Sequence, residues 1–431
     1  LKVLHVSTSD HHGGAARAAY RLHAALRGMG ADSHMLVQHR LSDDPTVSGP
    51  ASSLAKAYAL VRPRLDRLFL GPRQWHGAAY VSPGLWPGSI AGSIRRLRPD
   101  VVHLHWVAGG FVSSASLGRV GLPVVWTFHD MWPMTGGCHY AGECTRYRER
   151  CGACPLLTAA SLEDVTRRVL RTKERSWGAV DIHVVAPSRW MAACARSSTL
   201  FRRRPASVIP NAIDLERFSP VPRDLARRLL ALPADVKLIA FGAVKSTEDR
   251  RKGFHLLAPA LERLKTMLPG QAVELLVFGA APSQNPPPIP LRTHFAGRFQ
   301  DDISLAVVYN AADVFVAPSL QDNLPNTVLE ALACGVPCVA FDTGGLADMI
   351  EHGRNGYLAK AFDPEDLGAG IAWVLAADGR REELAGQARA RVVERHSAAR
   401  IAAAHIDLYQ QVLARRKGST GTHPSTSNIM G

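Results

Sequence analysis

Residues 318–345, PSLQDNLPNTVLEALACGVPCVAFDTGG, are the most informative segment of the chain for chemistry. A polar loop, Gln321–Asn323, leads into Pro325 and Asn326, and Glu330 follows one turn later. Proline suits a helix's first turn, where its missing N–H would be unmatched anyway. Gly335 suits the far end, and Pro337 stops continuation. The spacing therefore predicts a helix beginning near Pro325–Asn326. Its N-terminus would offer unpaired N–H groups at the positive end of the helix dipole, which makes an anion site. Glu330 can accept hydrogen bonds from a vicinal diol such as ribose. Phosphate at the helix end and hydroxyls at the carboxylates together describe a nucleoside diphosphate-sugar. The plainer alternative is that Glu330 complements the dipole and Asp322 caps the loop.

Four cysteines, Cys138, Cys144, Cys151 and Cys154, fall within 17 residues of a chain holding seven. Four thiolates suit a tetrahedral zinc, and Gly152 lets the Cys-x2-Cys end turn tightly. Such zinc would staple a loop and take no part in catalysis. Reduced or disulfide-bonded thiols are the alternative. His139 is a spare ligand, and Cys194, Cys334 and Cys338 read as small core residues. His129 and Asp130 close the apolar run VVWTFHD, either as a sugar ligand or as a hydrogen-bonded strand terminus. His103 and His105 share one strand face and read as core or cleft-edge residues. Gly13-Gly14 permits close backbone approach, or simply a tight turn. It lacks the spacing of G-x-G-x-x-G, which disfavours hydride transfer.

The elements that must position these groups are short apolar runs alternating with helical segments. Candidate strands are Val3–Val6, His34–Val37, Val101–Trp106, Val124–Phe128 and His183–Ala186. In the second half they are Leu238–Phe241, Glu274–Phe278, Val314–Ala317 and Cys338–Phe341. Continuous apolar runs mark parallel strands covered on both faces. Ala15, Ala18, Leu22, Ala25 and Met29 carry helical spacing, ended by Gly28 or Gly30. The fold class is α/β, with two doubly wound parallel-sheet domains facing a cleft, where ligands sit at the strands' carboxyl ends. The expected boundaries are 1–208, 209–395, a helix over 396–417 returning to the first domain, and a disordered tail over 418–431. Ser42–Gly92 reads as irregular, and Ser283–Pro290 as a proline-rich loop.

The 318–345 string resembles the signature of the GT-B glycosyltransferases of family 4, the glycosyl transferases group 1, whose phrase runs EGFPNxxLEAxAxGxPVV. Asp322 stands at its first acidic position, where the family usually has Glu, and Glu330 at its second. YNAADVFVAPS (309–319), IPNAIDLERFSP (209–220), GGLADMIEHGRNGYLA (344–359) and SDHHGGAARAA (9–19) resemble further segments of that family. TFHDMWPMTGGCHY and the cysteines are closest to colanic-acid-type exopolysaccharide transferases. The resemblance implies the GT-B fold and retaining transfer from a nucleoside diphosphate-sugar to a saccharide or lipid-linked acceptor, with no catalytic metal. It implies that Lys252 binds the diphosphate, with Lys245, Arg250 or Arg251 in place of the family's upstream arginine. It implies Glu330 on the ribose, and Asp322 with the Asn323, Leu324, Pro325, Asn326 and Thr327 stretch on sugar and phosphates. It implies His129 on the donor sugar, and Gly13 and Gly14 closing over the phosphates. A sugar-nucleotide epimerase, or a non-catalytic zinc-stabilised sugar-nucleotide-binding protein, is the alternative.

The formal net charge is +14, from 51 basic and 37 acidic residues, which favours anionic partners. No basic stretch interleaves with aromatics, so nucleic acid is not an expected partner. With no long apolar run and no signal-peptide pattern, a cytoplasmic location is expected. Leu54–Trp75 mixes Leu, Tyr, Phe and Trp with five basic residues. It reads as a helix covering the core or as a segment lying on anionic membrane, with Pro63 breaking any single long helix.

Overall fold

The computed structural model describes residues 1–71, 81–158, 160–242, 249–279, 289–299, 301–376 and 378–420. The first sheet contains β1 (Lys2–Ser9), β2 (Asp32–His39), β3 (Val47–Ser48), β4 (Val101–Leu104), β5 (Val124–Thr127), β6 (Ile182–Ala186) and β7 (Ala206–Val208). Their order is β3-β2-β1-β4-β5-β6-β7, and every pairing is parallel. The second contains β8 (Lys237–Gly242), β9 (Val273–Phe278), β10 (Thr293–Gly297), β11 (Val314–Ala317), β12 (Cys338–Phe341) and β13 (Gly356–Ala359). It runs β10-β9-β8-β11-β12-β13, again all parallel.

Alternate residues of each strand feed opposite faces. Leu4, Val102 and Val124 join one core of the first sheet, and Val3, Val101 and Val125 join the other. Both faces are apolar because both are covered, as the continuous runs predict. Strand order reverses between β1 and β4 and between β8 and β11. Crevices open at such switch points, beyond the carboxyl ends of the strands.

Four strands escape the sequence pattern: β3, β7, β10 and β13. They are the outer strands of the two sheets. None of the residues of β7 or β10 is fully buried. An edge strand needs less apolar surface, so its run is broken.

The described residues of the segment 42–92 are more ordered than its composition suggests. They hold β3 and the helix Ser53–Arg67. Pro63 sits inside that helix and does not break it. Proline removes the bond to the carbonyl four residues back, which here belongs to Ala59. Gln38 Nε2 donates to that carbonyl at 2.8 Å instead, so the loss is made good from β2. The Ser283–Pro290 loop lies outside the described residues except for its last two. Residues 418–420, expected in a tail, extend the helix Ala398–Thr420, and the remainder of that tail lies outside the described residues.

The chain crosses between the sheets twice, and the crossings touch. Ile213 N–H donates to the His396 carbonyl at 3.0 Å, and His396 Nδ1 lies 3.0 Å from the Asn211 carbonyl. Beyond this point the helix Ala398–Thr420 packs on the helix Gly14–Gly28. Its Ile401, Ala402, Leu408, Tyr409 and Val412 complete the core that holds Val3, Leu22 and Leu26.

Candidate active site

The loops that follow β1, β4, β5, β8 and β11 meet in a cleft of about 770 Å³. Gly13, Trp106, His129 and Tyr140 line it from the first domain, and Arg251, Lys252, Asp322 and Asn326 from the second. The helix Asn326–Ala333 opens onto it with Pro325 at its N-cap and no side chain capping it. Its first N–H groups are therefore available to an anion.

Lys252 Nζ donates to Asp322 Oδ2 at 2.7 Å, and Arg251 Nη1 lies 3.3 Å from the same oxygen. Burial alone would raise the Asp322 carboxyl, but Lys252 and then Arg251 overcome this and bring it down to about 2. Arg251 is thus the cation beside Lys252. Arg250 is exposed and does not line the cleft, and Lys245 lies outside the described residues. Gly253 makes the arrangement possible. Its φ is +74°, and a Cβ there would sit 1.7 Å from the Pro318 carbonyl oxygen. Leu320 N–H also donates to the Arg251 carbonyl at 2.8 Å, tying the two cleft loops together.

Glu330 is almost fully enclosed. Arg21 Nη2 donates to its Oε1 at 2.8 Å, and the Tyr309 hydroxyl donates to its Oε2 at 2.9 Å. Arg21 comes from the first domain and also reaches Asp302 at 3.3 Å. Burial would lower the Arg21 pKa, but Glu330 and Asp302 raise it.

Asn323 and Asn326 bridge the domains. Asn323 Nδ2 donates to the Phe128 carbonyl at 2.8 Å, and Ser188 Oγ donates to Asn323 Oδ1 at 2.7 Å. Asn326 Nδ2 donates to the Gly14 carbonyl at 2.8 Å. Gly13, at φ +90°, is the N-cap of the helix Gly14–Gly28. Leu324, Pro325 and Thr327 complete the same wall. His129 lines the cleft, and burial takes its pKa down to about 4 despite Asp130. Asp130 itself accepts from Trp106 Nε1 at 2.7 Å and lies 2.6 Å from His139 Nδ1.

Residues 12–217 match the family described as Glycosyltransferase Family 4, and residues 236–377 match the one described as Glycosyl transferases group 1. A D-inositol 3-phosphate glycosyltransferase of Xylanimonas cellulosilytica is 30% identical over 337 residues, 74% of this chain and 73% of that protein. The chain belongs to the group 1 glycosyltransferases. A protein of the same name from Saccharomonospora viridis is 27% identical, over 74% of this chain and 72% of its own. Among solved structures, the sucrose-phosphate synthase of Thermosynechococcus elongatus superposes with a TM-score of 0.65 at 20% identity, covering 96% of this chain and 100% of that one. HepE of Anabaena, solved in complex with UDP-glucose, gives 0.62 at 17%, covering 97% and 99%. These likenesses establish the GT-B fold.

Within this glycosyltransferase, the sequence motifs bring Lys252, Arg251, Asp322, Asn323, Asn326, Gly13, Gly14 and His129 to one cleft. Glu330 faces an adjoining pocket with Tyr309 and Phe278. Arg21 and Tyr140 went unread in the sequence. Tyr140 OH donates to Asp322 Oδ1 at 3.4 Å, and Arg251 stacks on its ring at 4.4 Å. Arg17 and Arg21 were legible only as two arginines at helical spacing in a segment with no acidic residue.

Cys138, Cys144, Cys151 and Cys154 line one small pocket away from the cleft, and all are free thiols. Gly152 has φ +115° and Ala153 φ +44°, so the Cys-x2-Cys end does turn tightly. Gly136 N–H lies 3.3 Å from Cys151 Sγ. The one group of three or more His, Cys, Asp or Glu ligand atoms within 4.8 Å of one another, among the described residues, is His5, His103 and His105. The sulfurs are therefore more open than a zinc tetrathiolate, whose sulfurs stand about 3.8 Å apart. Burial pushes the Cys138 thiol up to about 12 and that of Cys151 up to about 11. His139 is engaged with Asp130 and Ser82.

Proposed function

We propose that this enzyme is a retaining glycosyltransferase that moves a sugar from a nucleoside diphosphate-sugar to a saccharide or lipid-linked acceptor in polysaccharide assembly. The observation carrying this reading is the convergence of Lys252, Arg251 and the uncapped helix Asn326–Ala333 on one cleft. The leaving diphosphate gains negative charge as the glycosidic bond breaks, and fixed positive groups stabilise that charge. Lys252 would exchange Asp322 for phosphate oxygens, while Asp322 and His129 face the sugar. A UDP-glucose complex of a protein with the same fold supports a nucleotide-linked donor.

We read the first domain's side of the cleft as taking an uncharged acceptor, unlike the one in the relatives' name. Leu41, Leu60, Pro63, Trp106 and His39 line it, and the cleft's described Arg and Lys residues, Arg251 and Lys252, stand on the donor side. An uncharged sugar ring suits Trp106. The deciding experiment offers a panel of sugar nucleotides with and without saccharide acceptors, and measures nucleoside diphosphate release. Release from none of them would sink the reading. Lys252→Ala should lower turnover by about 10²-fold or more. The anomeric configuration of the product, read by NMR, tests retention.

Two accessory proposals accompany it. The four cysteines take a structural zinc that draws their sulfurs together, with no step in the reaction. Purified protein lacking zinc, with all four thiols titrating freely, would refute this. The helix Ser53–Arg67 exposes Leu54, Tyr58, Leu60 and Val61 beside Lys56, Arg64 and Arg67, which suits an anionic membrane surface. Co-sedimentation with liposomes that is indifferent to acidic lipid would count against it. Among the described residues no helix is long and apolar enough to cross a membrane.

A further inference from the structure

Three histidines form a line from the core of the first domain to the cleft. His5 Nδ1 lies 2.9 Å from His105 Nε2, and His105 Nδ1 lies 3.1 Å from His129 Nε2. Successive ring planes are inclined to each other by 25° and 26°. His5 and His105 are enclosed on every side.

Neutral imidazole carries one N–H and one bare nitrogen, so two proton arrangements satisfy both contacts. In one, every N–H points inward, and His5 Nε2–H ends the line. In the other, every N–H points outward, and His129 Nδ1–H ends it at the cleft. His5 Nε2 is buried and has no hydrogen-bond partner among the described residues. A buried N–H without an acceptor is the rarer and costlier orphan, whereas a bare lone pair is better tolerated. His129 Nδ1 has no protein partner among the described residues, and the ring lines the cleft.

We propose that His5 and His105 are positioning residues that fix the tautomer of His129, so that it presents Nδ1–H to an oxygen of the bound donor. This rests on the reading that the cleft takes a nucleoside diphosphate-sugar. Burial holds His5 and His105 neutral, so the line transmits a tautomer and carries no charge. Neighbouring His103 stands outside it. Its nitrogens face the Tyr409 hydroxyl at 2.6 Å and Thr127 Oγ1 at 2.7 Å. His103 and His105 are each within hydrogen-bond distance of a partner at both nitrogens.

Selective ¹⁵N labelling of histidine reads the tautomer in the unmodified, ligand-free protein. Nδ1 of His129 should give a protonated, pyrrole-type shift and Nε2 a bare, pyridine-type one. The reverse pattern overturns the proposal whatever the cleft binds. Adding UDP-glucose or another sugar nucleotide should move the Nδ1 signal, and this arm tests the donor reading separately. In kinetics, His105→Phe should lower kcat/KM by roughly 3- to 10-fold, the worth of one neutral hydrogen bond. His105→Asn, whose amide can still donate towards His129, should recover most of it. Equal losses in both variants, with folding intact, would also overturn the proposal. So would a bound transition metal that is present in the wild type and lost in His5→Phe.

Discussion

At the scale of residues, the most consequential pair spans the two domains. Arg21 and Glu330 are 309 positions apart and meet at 2.8 Å with almost no solvent. Removing one partner of a buried pair strands the other charge, at about 3–5 kcal/mol. Arg21→Ala should therefore lower the stability measured by denaturant unfolding by that order, and Arg21→Lys should rescue little, because lysine lacks the fork. The double change Arg21→Met with Glu330→Gln should regain much of the stability while donor turnover stays low. Recovery of both together would deny Glu330 a part in donor binding. Glu330 and Asp322 were legible because their spacing is local to one helix and its loop, and Lys252 only through the family resemblance. Arg21 and Tyr140 were not, since a partner 309 or 182 residues away leaves no local pattern.

At the scale of elements, the same rule separates what the sequence revealed from what it hid. The inner strands, such as β1, β5 and β12, are buried along most of their length, and their uninterrupted apolar runs announce them. The outer strands β7 and β10 pair on one side only and keep mixed residues. Pro63 misled for a related reason. A proline's effect on a helix depends on whether something else reaches the freed carbonyl, and Gln38 lies on another strand. The turn at Gly253 is the element-level weak point. Gly253→Ala would need a left-handed backbone and drive a methyl into the Pro318 carbonyl. It should cost on the order of 2–4 kcal/mol in unfolding measurements. It should also uncouple Lys252 from Asp322, with donor turnover falling alongside.

At the scale of the whole molecule, buried imidazoles set the response to acid. His5, His103 and His105 are pushed well below their ordinary value by burial, and His129 and His405 to about 4. The unfolded chain protonates these groups near 6.5. Below that pH it binds more protons than the native state, so stability falls as pH falls. Each fully neutral site contributes up to about 1.4 kcal/mol per pH unit, and the sites act in the same direction. Asp322 acts in the same direction in a lower range. Its contribution is present above its ordinary value near 4 and is lost as pH falls towards 2. Thermal melts should thus drop steeply between pH 6.5 and about 4.5, before the carboxylates titrate. A Tm flat across that window would show that these histidines are not neutral in the native protein.

The helix Ala398–Thr420 has a consequence for how the protein is made. It supplies the last wall of the core around Val3, Leu22 and Leu26. On a ribosome, chains emerge from the N-terminus and domains fold as they appear. Here the first domain leaves the exit tunnel with one face of β1 and of the helix Gly14–Gly28 still uncovered. It waits in that state through synthesis of the whole second sheet, until Tyr409 and Val412 arrive. The second sheet, whose cores draw nothing from the helix Ala398–Thr420, can finish first, so the order of completion reverses the order of translation.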